Sequence, residues 1–163
     1  MNSNHKPAIT MSHLQYIAQS LQDLYDGKPW IEVTFTEHLK RINAQQAAKR
    51  INGSNCIWQI VNHIIFWHQR ALRYMSNEPP EQDGDLPDFY LPENHGEENW
   101  QATRHRLEHS VQLLTNGIRS FPEDQLYEVF PGTEHQAVYY FHGLVEHAAY
   151  HLGQVVLLHK YAN

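Results

Sequence analysis

The sequence predicts an all-α protein, a four-helix bundle with long loops between helices one and two and between helices two and three. Three observations predict this. Apolar residues recur at steps of three and four in four separate segments, the spacing of one buried helical face. Between those segments, Pro, Gly, Asp and Asn concentrate, and these residues stop helices. No segment shows the strict apolar/polar alternation of a half-buried strand. Four such helices in one small domain pack as a bundle, which often builds metal sites from side chains on facing helices.

Residues 1–11 read as a loose arm of a single domain spanning 1–163. The first helix begins at Ser12, because Ser12 and Gln15 match a capping box in which each side chain satisfies a free backbone donor. Leu14, Ile17, Leu21 and Leu24 then form its buried stripe, and Asp26-Gly27-Lys28-Pro29 ends it. Residues 27–53 form a long connection with one short helix over 43–50, closed by Asn52-Gly53. The second helix starts after Ser54 or Asn55 and runs to Ser76. Residues 77–98 are rich in Pro, Asp, Glu and Gly, a loop long enough to be a lid or pocket wall. The third helix spans Glu97 to Ser120 with Trp100, Leu107, Val111, Leu114 and Ile118 along one face, and Pro122 bars its continuation. Beyond Pro131-Gly132, Thr133 and Gln136 repeat the capping-box pattern, and the fourth helix runs to Lys160.

Composition bounds the function. Twelve Lys and Arg against eighteen Asp and Glu give a formal charge of −6, and the basic patch of a nucleic-acid binder is absent. The single cysteine, Cys56, excludes an internal disulfide framework and a multi-cysteine zinc site. No apolar run is long enough to span a membrane. The start, MNSNHKPAITMSH, lacks the hydrophobic stretch of a signal peptide. These features lead us to expect a cytoplasmic protein that acts on a small molecule. The second helix is apolar almost all round. Trp58, Val61, Ile65 and Leu72 point away from the face that holds Cys56, Ile60 and Trp67. That pattern predicts a symmetric homodimer covering the back of this helix.

Thirteen histidines stand out, and helical rotation sorts them. With His147 at zero, His151 lies at about 40°, Tyr140 at about 20° and Gln154 at about −20°. His147 and His151 thus share a mostly apolar face one turn apart, a chelating spacing. The zinc helix HExxH uses the same spacing, although Ala148, Ala149 and Tyr150 fill the interval here. His63 sits on the apolar side of the second helix with Ile60, Trp67 and Arg70, where a lone histidine is either a satisfied core residue or, beside an inward pair, a third ligand. Three neutral imidazoles with one position left open form the catalytic zinc pattern. His105 and His109 repeat the spacing of four but lie about 160° from Leu107, so they point to solvent. His142 and His68 project away from the inward faces and are left out of the site.

A histidine early in the second helix, together with EHAAYHLGQV over 146–155, resembles the DinB-like family of four-helix, metal-dependent enzymes. The most specific element is His-x-x-x-His-Leu-Gly-Gln, here His147, His151, Leu152, Gly153 and Gln154. The resemblance implies that His63, His147 and His151 hold one divalent ion, zinc or nickel, with water completing the shell. It also implies thiol-dependent transfer, with a low-molecular-weight thiol as cosubstrate, or hydrolysis. The polymerase that shares the family's name is unrelated. A binding protein without catalysis is the alternative, because no general base is evident.

Arg70, Tyr140 and Gln154 are the candidates for substrate binding. Arg70 could clamp a carboxylate or phosphate, or simply pair with an acid of a neighbouring helix. Tyr140, Tyr150 and Tyr74 could donate to a ligand or pack as core aromatics with a wet hydroxyl. Gln154 could instead orient a ligand imidazole. Glu146 lies about 100° off the His147 face and makes a poor base. Asp85, Asp88 and Glu93 could reach a site at the bundle's mouth, or stay solvated loop charges. Cys56 precedes His63 by two turns and is not expected as a fourth ligand.

Overall fold

The computed structural model describes residues 11–130 and 132–162. Nearly all of the predicted arm, and Pro131, lie outside the described residues. The chain is all-α, as the class expected. Its helices are α1 (His13–Asp26), α2 (Phe35–Leu39), α3 (Ala44–Ala48), α4 (Ile57–Met75), α5 (Glu97–Ser120) and α6 (Ala137–Ala162), with a 3-10 turn over Glu123–Gln125. Among the described residues the only β pairing is one isolated bridge, Val129 with Gln136. Among the described residues no helix is long and apolar enough to cross a membrane.

Local chemistry sets the boundaries. The Ser12 capping box forms, with Ser12 N donating to Gln15 Oε1 at 2.8 Å. Asp23 O accepts from Gly27 N at 3.1 Å and closes α1. A Cβ at Gly27 would sit 2.2 Å from Asp23 Oδ1 and 2.8 Å from Asp23 Cα, so this cap requires glycine. A second capping box, Asn43 with Gln46, starts α3. α4 begins at Ile57, with Cys56 at the cap and Gln59 Oε1 accepting from Cys56 N at 3.2 Å.

Two expectations are corrected. The long first connection holds two short helices rather than one. Thr34 Oγ1 caps the unforeseen α2 by accepting from Glu37 N at 3.2 Å. The Thr133/Gln136 pattern does not cap α6. Thr133 Oγ1 instead donates to Phe130 O, and Gln136 Nε2 donates to Tyr127 O. The cause is the pairing of 126–130 with 135–138, in which Phe130 N donates to His135 O and Val138 N donates to Leu126 O.

The four long helices close a ring, α1 against α5 and α6, and α4 against α5 and α6. Leu14, Ile17, Leu21, Trp58, Trp100, Leu107, Leu114 and Phe141 fill its centre. Trp58 and Trp100 pack at 5.2 Å between centroids. Both indoles are satisfied, Trp58 Nε1 by Thr103 Oγ1 and Trp100 Nε1 by Ile42 O. Trp58, Val61 and Ile65 are buried, and Leu72 is half-buried, within the single chain. The apolar circumference of α4 is therefore accounted for without a second chain.

Candidate metal centre

α4 and α6 pack side by side, and this places three imidazoles together. Those of His63, His147 and His151 can each offer one nitrogen, all within 4.8 Å of one another. His147 Nε2 lies 2.9 Å from His63 Nε2 and 3.1 Å from His151 Nε2. His63 and His151 are buried and His147 is half-buried.

The opposite ring nitrogens of two of them are held. His63 Nδ1 meets Asp88 Oδ1 at 2.5 Å, and His151 Nδ1 meets Gln154 Oε1 at 2.7 Å. A carboxylate or amide oxygen at Nδ1 keeps the proton there and leaves the Nε2 lone pair free. Gln154 is itself steadied by donating Nε2 to Tyr150 Oη at 3.0 Å. Gln154 therefore touches a histidine, which is the orienting alternative raised for it above.

Of the three loop acids that could reach a site at the bundle's mouth, Asp88 is the one that meets a histidine of the cluster. Its segment is fastened to α4: Gln59 Nε2 donates to Phe89 O at 3.1 Å, and Asn62 Nδ2 donates to Tyr90 O at 2.7 Å. The Phe89 ring stacks on His63 at 3.9 Å between centroids. Phe89 adopts φ 52°, a left-handed conformation that costs an aromatic residue roughly 1–3 kcal/mol and persists only where its surroundings enforce it. We expect Asp88→Asn to weaken divalent-metal affinity about 10–100-fold with the helical content intact. Competition titration against a chromophoric chelator measures this, and unchanged affinity would remove Asp88 from the site.

The other candidates fall elsewhere. Arg70 pairs with Glu81 of the loop, and its guanidinium lies 5.3 Å from the Phe66 ring and 5.4 Å from the Trp67 ring. Tyr140 packs on Tyr74 and Phe130; burial pushes its hydroxyl up to about 12. Its Oη has no hydrogen-bond partner among the described residues. Asp85 is bound to Arg73, which holds its carboxyl down at about 2. Glu93, Glu146, His105 and His109 are exposed. Cys56 is buried and free at the start of α4. His142 pairs with His13 at 2.9 Å, and His68 is buried against Ser110 Oγ at 3.0 Å.

An open cleft of about 470 Å³ meets the cluster at His151, walled by Asn55, Ile60, Phe89, Tyr150, Gln154 and Leu157. Its size suits a small-molecule site. A smaller one of about 240 Å³ lies beside His147, between Trp67, Tyr139 and Leu144. Another cleft, about 600 Å³ along α3 and the end of α6, is lined by Gln45, Gln46, Lys49 and His95.

A family model matches residues 32–155, from before α2 into the last turns of α6, and its description is the DinB superfamily. The chain belongs to the DinB superfamily. No curated protein and no solved structure matches it. The DinB match spans all three histidines, the loop carrying Asp88, and Gln154.

Burial shapes the titration of this DinB protein. Burial, then the neighbouring His151 and His63, lowers His147 to about 4. Burial likewise lowers His151. His68, wholly buried, falls to about 3 from the ordinary 6.5. In the unfolded chain these groups take up protons first. Their stabilising contribution is therefore complete above 6.5 and is lost as pH falls toward their folded values. We expect the unfolding free energy of the metal-free protein to fall between about pH 6.5 and 4, by up to about 1.4 kcal/mol per pH unit for each group. Urea titrations of wild type and His68→Asn check this. Parallel pH profiles for the two would contradict it.

Proposed function

We propose that the protein is a divalent-metal-dependent enzyme, in which His63, His147 and His151 hold one zinc or nickel ion and a small organic substrate enters by the cleft beside His151. The observation that carries this is the donor set. Three imidazole Nε2 atoms converge, and two of the rings are fixed from behind by Asp88 and Gln154. Three neutral nitrogens leave a position open, as catalytic sites do. A divalent ion there would lower the pKa of a thiol or water placed at that position. Thiol-dependent transfer or hydrolysis follows, with a low-molecular-weight thiol as cosubstrate in the first case.

The chain's own groups bind and orient. Asp88 and Gln154 hold the imidazoles, and Phe89 covers His63 from the loop side. Ile60 and Leu157 offer apolar wall to the substrate, while Asn55 offers an amide. A metal-binding protein without turnover is the second reading. It is favoured by Asp88, the acid that meets the cluster, because its Oδ1 already accepts from His63 and from Phe89 N. No uncommitted base is thereby supplied.

Zinc- and nickel-loaded protein offered glutathione with an aryl halide, and separately activated esters, tests both readings. Turnover that disappears in His151→Ala supports the enzyme. Stoichiometric metal without turnover favours the binding protein. Failure to retain either metal at neutral pH overturns both.

A further inference from the structure

The loop between α4 and α5 supplies acids to two arginines of α4. Arg70 pairs with Glu81, and Arg73 pairs with Asp85. Arg106 of α5 is treated differently. Its Nη2 donates to Asn62 Oδ1 and to Thr103 Oγ1, both at 3.1 Å, and both acceptors are neutral. Among the described residues no carboxylate pairs with it. A guanidinium carries five N–H donors, so three are left without a partner.

Those donors belong to a cleft of about 230 Å³ enclosed by α4, α5 and the loop. Ile65 and Phe66 line it from α4, and Leu86 and Pro87 line it from the loop. Gln69 lines it too, and its side-chain amide makes no hydrogen bond among the described residues. Gly84, at φ 90°, keeps one stretch of the loop wall free of any side chain. Asp85 is the carboxylate of the lining, and it is already neutralised. Arg73 takes both of its oxygens, and Gln82 N donates to Oδ2 at 2.8 Å.

We propose that this cleft binds a small organic carboxylate, with its charged end on Arg106 and Gln69 and its apolar body against Ile65, Phe66 and Leu86. Charge chooses the head group. Arg70 and Arg73 are committed to the loop, so one uncompensated cation faces the cleft, which matches a monoanion rather than a phosphate dianion. A hydrogen bond from a guanidinium to a carboxylate is roughly twice as strong as one between neutral groups. The walls choose the body, because a bare inorganic anion would leave four apolar side chains in water. Volume limits the size. The cleft falls below the ~300–1,000 Å³ of sites for drug-sized ligands, so one ring or a short chain fits. Binding leaves the bonds from Nη2 to Asn62 and Thr103 in place. The site does not depend on the metal reading, since none of its residues lines the clefts at His151 or His147.

Benzoate, titrated into the metal-free full chain at neutral pH and about 50 mM salt, tests the proposal through amide shifts in the NMR spectrum. It should saturate with a dissociation constant of about 1 mM or tighter, and the largest shifts should fall at the Gln69 side chain, Gly84 and Leu86. Benzamide, which lacks the charge, and inorganic phosphate, which lacks the body, should each bind at least about tenfold more weakly. Arg106→Gln should weaken benzoate by a similar factor. Leu86→Asp should do the same while leaving Arg106 in place, and Leu86 is 43% exposed, so the fold tolerates the change. Arg119→Gln, exposed at the far end of α5, and His151→Ala should both bind as wild type does. The proposal is overturned if benzoate fails to saturate by about 20 mM, or if its shifts centre on the cleft at His151. Phosphate binding as tightly as benzoate overturns it as well, and so does wild-type affinity in either Arg106→Gln or Leu86→Asp.

Discussion

His151→Ala should abolish divalent-metal binding while leaving the helices intact. The ring is one of three that converge, 4.7 Å from His63 between centroids and 3.1 Å from His147 at Nε2. Two imidazoles on different helices do not replace a fixed pair on one. Elemental analysis after dialysis against zinc or nickel should return close to one equivalent for wild type and near none for the variant. Metal should also stabilise wild type by about 2.7 kcal/mol at a hundredfold excess over the dissociation constant, and this gain should vanish in His151→Ala. The exposed pair His105 and His109 supplies the control. Its double alanine variant should keep its metal and change stability by no more than about 0.5 kcal/mol. Equal metal content in His151→Ala and wild type would defeat the assignment.

Trp100→Ala should lower the unfolding free energy by about 3–5 kcal/mol. Trp100 is fully buried against Trp58, and its Nε1 donates to Ile42 O at 2.7 Å. The substitution opens a cavity between α4 and α5 and strands a carbonyl of the first connection. Urea denaturation followed by circular dichroism measures the loss, which corresponds to a Tm drop of roughly 10 °C or more. A loss below about 1 kcal/mol would mean that the connection is not anchored there.

That anchor marks the boundary of what a sequence reading reaches. The long helices are legible because their stripes repeat over several turns. Leu14 to Leu24 and Trp100 to Ile118 each span enough periods to exclude a strand. α2 is illegible because Phe35 and Leu39 make a single turn, and one turn has no period. It forms because Thr34 caps it and the core receives both side chains. Thr133 and Gln136 misled because a capping pattern is local, and equally local acceptors, Phe130 O and Tyr127 O, take the two side chains instead.

Rotation makes the pair on α6 legible, whereas the resemblance implied the third histidine. His147 and His151 share a face by their spacing of four, and His63 faces them because α4 packs on α6. Gln154 follows too, one turn from His151. Asp88 does not. Its position depends on where a Pro-rich loop crosses α4, and the hydrogen bonds from Gln59 and Asn62 that decide it join residues about thirty apart. Arg70 was legible as an inward cation, but its partner Glu81 sits on the same loop rather than on a helix.

The fastening of that loop has a kinetic side. Asn62 receives Arg106 of α5 at 3.1 Å on its Oδ1, and its Nδ2 holds Tyr90 O. Asp88 is thus tethered through Asn62 to a helix that contributes no ligand. While segment 88–90 is seated, Phe89 screens His63 and the carboxylate pins its ring. When that segment lifts, the His63 ring loses both its carboxylate and its cover, so release of a bound ion by the cleft at His151 should quicken. Loosening Arg106 should then hasten transfer to a chelator without touching the cluster.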